Sequence, residues 1–588
     1  MTDAAMPGWV RAVWICLGLV VIGFHAGLVL YGLTPNLVAR PIHMALALPF
    51  VFLFGRPSLS GWILTGAGVA CCFAIAANYN ELGDQYGMLF GTEQYVMAAI
   101  LIIVTLEMAR RSIGWPLPAV ALAALIYATF GQHIPGNFGH AGLPPASLFG
   151  TLVIAEGGLW GQLTGISVGV VAIFVIFGAI LNAGEAGQGF MNVAAAAAGR
   201  LRAGAAKVSV LSSALFGSIS GSASANVAST GAITLPAMRR LGYPPPLAGA
   251  VEAVASSGGQ IMPPLMGAGA FLMVELTGVP YAAILLAALP AAILYFLAVW
   301  VGIDAFTTRY DLRGLPAESQ PAPRAVVITS LFFLVPFTVL LTGMFGFGYT
   351  PQYAGILAIA AGGALLLLNG DLRFSVIGAG RRIGNAAIIA GRQVATIAAI
   401  IICASIIVGV LGLTGLGVKL TQLILSGSGG LLWPALLLTA IACLILGMEV
   451  PTTAAYAICV AVAGPALIDL GLAPLQAHLF VFWYALLSTI TPPVCGAVFI
   501  AAGMVDAPWL RTAGFAMALG VGLYAIPLAM VTAPGLLSLG ADPLAALLAF
   551  AKTGIALALL SYGLIARRAL PLRLALAAAG LAVLLISA

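Results

Sequence analysis

The chain predicts an all-α polytopic membrane protein of about 15 transmembrane helices, with two re-entrant helical hairpins arranged as an inverted repeat. Three observations carry that prediction. Of 588 residues, 62% are hydrophobic and only 7% charged, against roughly 25% charged in an average soluble domain. Two regions, 200–240 and 431–470, hold apolar arms too short to cross a bilayer comfortably. Each is followed by an apolar span interrupted by a double proline, "SSGGQIMPPLMGA" at 256–268 and "LSTITPPVCGA" at 487–497.

At about 20 apolar residues per crossing, spans fall near 9–32, 41–55, 60–78, 94–110, 115–131, 165–183, 245–275, 280–303, 325–345, 351–369, 389–412, 475–503, 511–533, 543–566 and 570–587. The run at 9–32 is longer than a signal-peptide core, so it is expected to remain as an uncleaved helix. A cytoplasmic N-terminus puts 20 of the 23 Lys and Arg at the inner face, as the positive-inside rule requires. The acidic loop "NYNELGDQYGMLFGTEQ" (78–94) then lies outside, and the polar linker "DAFTTRYDLRGLPAESQPAPR" (304–324) inside.

The first hairpin follows from length. Its arms, 204–217 and 224–238, make about 22 Å of helix each, against a hydrocarbon core of about 30 Å. They are joined by "GSISGSASANVASTG" (217–231), whose exposed backbone is tolerated at membrane depth only inside protein or beside a wet cavity. The region 431–470 repeats the pattern around "LGMEVPTTAAY" (446–456), without Lys or Arg. Five crossings separate the two regions, so they enter from opposite sides. The double prolines align at an offset of 229 residues and the tips, Gly221 with Gly447, at 226. Inverted repeats of this kind mark secondary transporters.

A broken helix offers free amides at one half and free carbonyls at the other, and proline forces the break because it has no N–H. Neighbouring hydroxyls and amides add oxygen ligands for a hard monovalent cation and a polar solute. On one side these are Ser220, Ser222, Ser224 and Asn226 with Ser256 and Ser257; on the other, Thr452, Thr453, Ser488, Thr489 and Thr491. Gln260 joins the solute-binding candidates. Small hydroxylated residues also let membrane helices pack closely, and it is the paired proline breaks that favour a site.

Charges inside a membrane are functional candidates, here Glu252, Glu449 and Lys552. Glu449 reads as a solute-site residue at the second tip. Glu252 reads equally as a helix-end or interhelical bond, and Lys552 as a snorkelling or carbonyl-bonded side chain. Glu107 with Arg110 and Arg111 has helix-end ion-pair spacing. The net charge of +6 is scattered between apolar runs, which excludes nucleic-acid binding. The seven cysteines show no metal-ligand spacing. With no Walker A, HExxH or GxSxG motif, the chain is expected not to be an enzyme, to need no cofactor, and to run on an ion gradient.

"FGSISGSASANVASTGAITLPAMRRLGYPPPLAGAVEAVASSGGQIMPPLMGAGAFLMVELTGVPY" (216–281) resembles the permease of tripartite ATP-independent periplasmic (TRAP) transporters. The continuous "ARRSIGWPLPAVALAALIYATFGQHIPG" (109–136) resembles the fused type, in which small and large membrane subunits form one polypeptide, typical of the TAXI branch. The resemblance covers about 95–535. It implies a bacterial or archaeal cytoplasmic-membrane permease with a periplasmic substrate-binding protein as partner, importing small organic anions such as carboxylates or amino acids. It further implies coupling to Na+, with H+ as the alternative, and an elevator movement of hairpins and broken helices against a scaffold. By the same resemblance a first Na+ site maps to Ser220 or Ser222 with Gly258, Ile261 and Pro263, and a second to Gly447 with Ser488, Thr491 and Val494. Ser488 stands where relatives often carry glycine.

The expected organisation has small-subunit-like scaffold helices at 1–115, further scaffold and an outer segment at 116–199, and a first repeat at 200–303. The linker 304–324 follows, then scaffold helices and the entry to the second repeat at 325–412, a second repeat at 431–533 and C-terminal helices at 541–588.

Overall fold

The computed structural model describes residues 7–55, 57–447, 451–493 and 495–586, and among these every regular element is helical. Among the described residues nine helical stretches are long and apolar enough to cross a membrane, and six shorter apolar helices accompany them. The charged-ended helix Gly91–Ile113 and the helix Pro116–Phe130 are separate elements broken by Gly114 at φ +86°.

The apolar interior forms two large clusters. One unites the N-terminal helices with the helix Val376–Thr414, and the other unites the two hairpins, the two broken helices and the C-terminal helices. Val376–Thr414 is 39 residues long, about 58 Å at 1.5 Å per residue. Ser375 starts it, accepting the Gly378 N–H at 3.2 Å. The span expected at 389–412 is its C-terminal part. Residues 376–388 include Arg381 and Arg382, which break the apolar run without breaking the helix.

This long helix packs against Gly8–Tyr31, Asn36–Phe52, Gly91–Ile113, Pro116–Phe130 and Ala172–Ala183. Missing side chains make the approach possible. A Cβ on Gly18 would stand 2.2 Å from the Ala387 carbonyl oxygen, and one on Gly391 would meet the Phe50 ring at 2.2 Å. Between the first two helices His25 Nε2 faces His43 Nδ1 at 2.8 Å, and His43 Nε2 reaches Ser167 Oγ at 3.0 Å, all three side chains being buried. Buried polar atoms need such partners.

Both hairpin regions fold as helix pairs. The first pairs Gly204–Ser220 with Ala223–Arg240 across a two-residue turn. At the tip end the first arm is three residues longer than the sequence suggests and the second one residue longer, because the hydroxyl-rich residues continue the helices. Gly221 closes the first arm in the left-handed region at φ +59°, and Ser222 caps the second, accepting the Ala225 N–H at 3.3 Å. The second pairs Leu432–Leu446 with Thr452–Asp469.

The double-proline spans are broken helices, as expected. Pro245–Gly258 is followed by a 3-10 turn at Gly259–Ile261 and resumes as Gly267–Thr277. Pro474–Leu486 is followed by a 3-10 turn at Leu487–Thr489 and resumes as Gly496–Val505. Residues 246–258 and 476–486 are buried on all sides, the mark of helices at the centre of a bundle. The stretch expected as one span at 511–533 is two helices, Trp509–Leu519 and Val521–Thr532, interrupted at Gly520. Glu107 pairs with Arg110 at 2.6 Å and Arg111 at 2.7 Å, the expected helix-end arrangement. Lys552 bonds the Ile586 carbonyl oxygen, one of its two expected roles.

Candidate functional site

Each hairpin tip rests on the broken helix that follows it. A Cβ on Gly217 would lie 2.1 Å from the Gly259 Cα, and one on Gly221 would lie 2.5 Å from the Gly267 Cα. Gly221 and Gly267 both have positive φ, 59° and 62°, so glycine serves twice here, for conformation and for close approach. On the other side a Cβ on Gly447 would lie 3.0 Å from Ser488 Oγ and 3.1 Å from the Ala485 carbonyl oxygen. The two breaks also touch one another. Thr489 Oγ1 lies 3.0 Å from Ser257 Oγ, across 232 residues of sequence.

A cavity of about 1230 Å³ opens where these elements meet. From the first hairpin it takes Ser220, Gly221, Ser222 and Ser224, and from the first break Gln260 and Met266. Gly447, Thr452, Thr453, Ser488 and Thr489 line it from the second hairpin and break. It is larger than the roughly 300–1,000 Å³ of a usual small-molecule cleft. Two polar atoms at its wall are buried without a hydrogen-bond partner among the described residues, Ser220 Oγ and Gln260 Oε1. Buried polar groups rarely stay unpaired, so both are open to an external ligand, and a hydroxyl beside an amide oxygen suits a hard cation or a polar solute.

Other candidates lie behind this wall. Asn226 is fully buried and turned away from the cavity; its Nδ2 donates to the Ser213 carbonyl at 2.9 Å. Ser257 donates to the Ala253 carbonyl at 2.8 Å. Gly258 packs under Tyr295, Ile261 is buried, and Thr491 shares a 2.7 Å hydrogen bond with the Tyr524 hydroxyl. Pro263 stands beside the break, its peptide to Pro264 cis, as is that between Pro492 and Pro493. Of the first-site set, then, Ser220 and Ser222 line the cavity while Gly258, Ile261 and Pro263 do not. Of the second, Gly447 and Ser488 line it and Thr491 does not. Glu449 and Val494 lie outside the described residues. Glu252 stands inside the helix Pro245–Gly258 and bonds between helices, away from any helix end.

Sequence reasoning missed Arg392. The sequence counts it only among the basic residues of the inner face; in the structure it lines the cavity with Gln393 and Thr396 of the long helix. It is the one charged residue among the described lining residues. Its guanidinium carbon lies 4.6 Å from the centre of the Phe54 ring, and it has no carboxylate partner among the described residues. The signal was present in "GRQVAT", where Arg392, Gln393 and Thr396 fall within about one turn just ahead of the largely apolar stretch 397–413. Asn182 and Gln188 add polar lining nearby.

These features meet independent likeness to known proteins. Residues 100–545 match the family described as tripartite ATP-independent periplasmic transporter, DctM component. The C4-dicarboxylate TRAP transporter large permease protein DctM of Pseudomonas aeruginosa is 24% identical over 343 residues, 58% of this chain and 77% of that protein. The isethionate TRAP transporter permease protein DctMQ of Oleidesulfovibrio alaskensis is 29% identical over 171 residues, 26% of this chain and 27% of the relative. The uncharacterized protein YgiK of Salmonella typhimurium is 28% identical over 215 residues, 36% of this chain, and the chain spans about half of it, 49%. With more than two thirds of its length inside the family match, the chain belongs to the DctM family of TRAP transporter large permeases, which are transport proteins and not enzymes.

Proposed function

We propose that the chain is a fused TRAP permease of the TAXI branch, importing small organic anions, carboxylates or amino acids, on a Na+ gradient with a periplasmic substrate-binding protein. The carrying observation is the single cavity lined by both hairpin tips and both breaks, with Arg392 as its one described charge. A lone cation among hydroxyls and amides favours an anionic solute. The relatives' names point the same way, one carrying a C4-dicarboxylate and another isethionate. Fusion is supported by the helices Gly8–Tyr31 and Asn36–Phe52, which lie ahead of the family match and pack on the long helix of the same chain.

In this reading the chain crosses a bacterial or archaeal cytoplasmic membrane about 15 times with its N-terminus inside, and the two hairpins are re-entrant from opposite faces. The first repeat (200–303) and second repeat (431–533) form the moving unit. The helices of 1–199 and 325–412 form the scaffold, 304–324 is the cytoplasmic linker, and 541–588 are C-terminal helices. Na+ binds near Ser220 and Ser222 at the first tip, with carbonyls of Gly258, Ile261 and Pro263, and near Gly447, Ser488, Thr491 and Val494 at the second. The solute engages Ser224, Gln260, Glu449, Thr452, Thr453 and Thr489, with Asn226 and Ser257 supporting from behind, and Arg392 holds its acidic group. An elevator movement carries this assembly across.

Uptake into proteoliposomes tests the reading. It predicts accumulation only with an inward Na+ gradient and the loaded binding protein outside. Uptake without binding protein would reassign the chain as a self-sufficient carboxylate carrier of the same architecture.

A further inference from the structure

Three helices turn hydroxyls toward one carboxylate. Ser209 and Ser213 lie one turn apart on the first arm of the first hairpin, and Thr230 and Thr234 one turn apart on the second. Glu252 and Ser256 lie one turn apart on the first broken helix. Residues at i and i+4 share a helix face, so all three pairs meet. Glu252 is fully buried. Its Oε2 accepts from Ser209 at 2.8 Å and faces the Thr234 hydroxyl; its Oε1 faces the Thr230 hydroxyl, with Ser256 at 3.3 Å and Ser213 at 3.5 Å. Gly231 leaves the space, since a Cβ there would stand 3.2 Å from Glu252 Cγ.

No cation answers this carboxylate among the described residues. Lys207 on the first arm pairs instead with Asp304 at 2.7 Å and lies over the Trp300 ring. Arg239 and Arg240 are exposed at the end of the second arm, and Asp506 and Arg511 are exposed beyond the second broken helix. Tyr295 gives its proton to the Val254 carbonyl at 2.7 Å. A buried ion without a counter-charge costs several kcal/mol.

The proton count agrees. Each hydroxyl has one proton to give. Thr230 Oγ1 lies 2.8 Å from the Asn226 carbonyl oxygen as well as against Glu252 Oε1, and it cannot donate to both. A proton on Oε1 resolves that conflict: the acid donates to Thr230, Thr230 donates to Asn226, and Ser209 donates to Oε2, while Thr234 Oγ1, 3.0 Å from the Thr230 carbonyl oxygen as well as against Oε2, gives its one proton to one of the two. Sodium fits less well, because oxygens that share a metal ion stand apart, whereas Ser209 and Glu252 are at hydrogen-bond separation.

We propose that Glu252 is a proton-carrying site, a neutral acid in this conformation, which exchanges its proton when the first hairpin shifts against the first broken helix. Four of the five surrounding hydroxyls belong to the hairpin and the carboxyl to the broken helix, so their relative displacement opens the ring. The ring is also linked to the cavity. Thr230 donates to the Asn226 carbonyl at 2.8 Å, and the Asn226 N–H donates to the carbonyl of cavity-lining Ser222 at 2.9 Å. Occupancy of the tip and protonation of Glu252 therefore share one hydrogen-bonded chain. The inference goes beyond Na+ coupling and rests on the transport reading only for the hairpin's movement.

The test is infrared difference spectroscopy of the purified full chain in lipid, titrated with base in K+ and then in Na+. The expected result is a protonated-carboxyl C=O band that disappears reversibly with base, is missing in Glu252→Gln, and shifts in Ser209→Ala and Thr234→Val. The last two variants assign the band should Glu252→Gln fail to fold. A band that persists through the titration, one that Na+ abolishes at constant pH, or one unmoved by the hydroxyl variants overturns the proposal. The measurement uses no solute, so its failure is distinct from failure of the transport reading.

Discussion

Substituting Gly217 by alanine tests whether tip and break must stay in contact for Na+ to bind. The new Cβ would lie 2.1 Å from the Gly259 Cα, where ordinary contact begins at 3.4 Å, so the hairpin and the break must separate by about 1.3 Å. Neither side can yield by a rotamer change, because the obstacle is backbone. Such overpacking costs about 1–3 kcal/mol of stability. In the proposed site its larger effect would fall on a cation held jointly by tip hydroxyls and break carbonyls. Losing one charged-group contact costs about 1.5 kcal/mol, or about tenfold in affinity. The assay is proteoliposome uptake at graded Na+ concentration, after size-exclusion chromatography has established that the variant is folded. Gly23→Ala is the control, since nothing lies within 4 Å of its Cβ. Half-saturation by Na+ should rise about tenfold in Gly217→Ala and stay unchanged in Gly23→Ala. Wild-type Na+ dependence in Gly217→Ala would refute the shared-ligand reasoning.

Arg392→Gln keeps much of the stem over Phe54 but removes the cavity's one described charge; the KM for an anionic solute should rise about tenfold, from roughly 1.4 kcal/mol of lost attraction, with Na+ dependence retained. Thr489→Val and Ser257→Ala should each destabilise the protein, and a double-mutant cycle by thermal unfolding should give a coupling of about 0.5–1.5 kcal/mol for their 3.0 Å contact. His25→Phe leaves His43 Nδ1 buried without its 2.8 Å partner, a loss of about 1–3 kcal/mol that should lower Tm by several degrees while leaving the Na+ dependence of uptake intact.

The parts of the fold that were legible are those where a residue acts through its own covalent chemistry. Two adjacent prolines remove two successive N–H groups, so Pro263-Pro264 and Pro492-Pro493 located both interruptions, whereas single prolines such as Pro290 and Pro336 lie inside continuous helices. Charge and length marked the linker and the hairpin arms. Helix ends set by context were less legible: Arg381 and Arg382 disguised the first third of the long helix, and Gly520 divides what reads as a single apolar run. The site was legible as a set of segments more than as a set of side chains. Ser222 and Asn226 are four residues apart in one polar stretch, yet Ser222 lines the cavity and Asn226 is buried behind it, because neighbouring helices decide which side is wet. The hydroxyl pairs at 209/213 and 230/234 were visible as i,i+4 repeats, but only the packing of three helices brings them to Glu252.

The most direct measurement concerns the shared cavity. Ser222→Cys and Thr452→Cys place a thiol on each tip, 230 residues apart in sequence and on the wall of one cavity. Each is exposed to a membrane-impermeant maleimide in sealed vesicles of both orientations, with and without Na+. If both repeats build one alternately accessible site, Na+ changes the labelling of the two cysteines together and in the same direction from a given face. Independent or opposite responses would contradict the account.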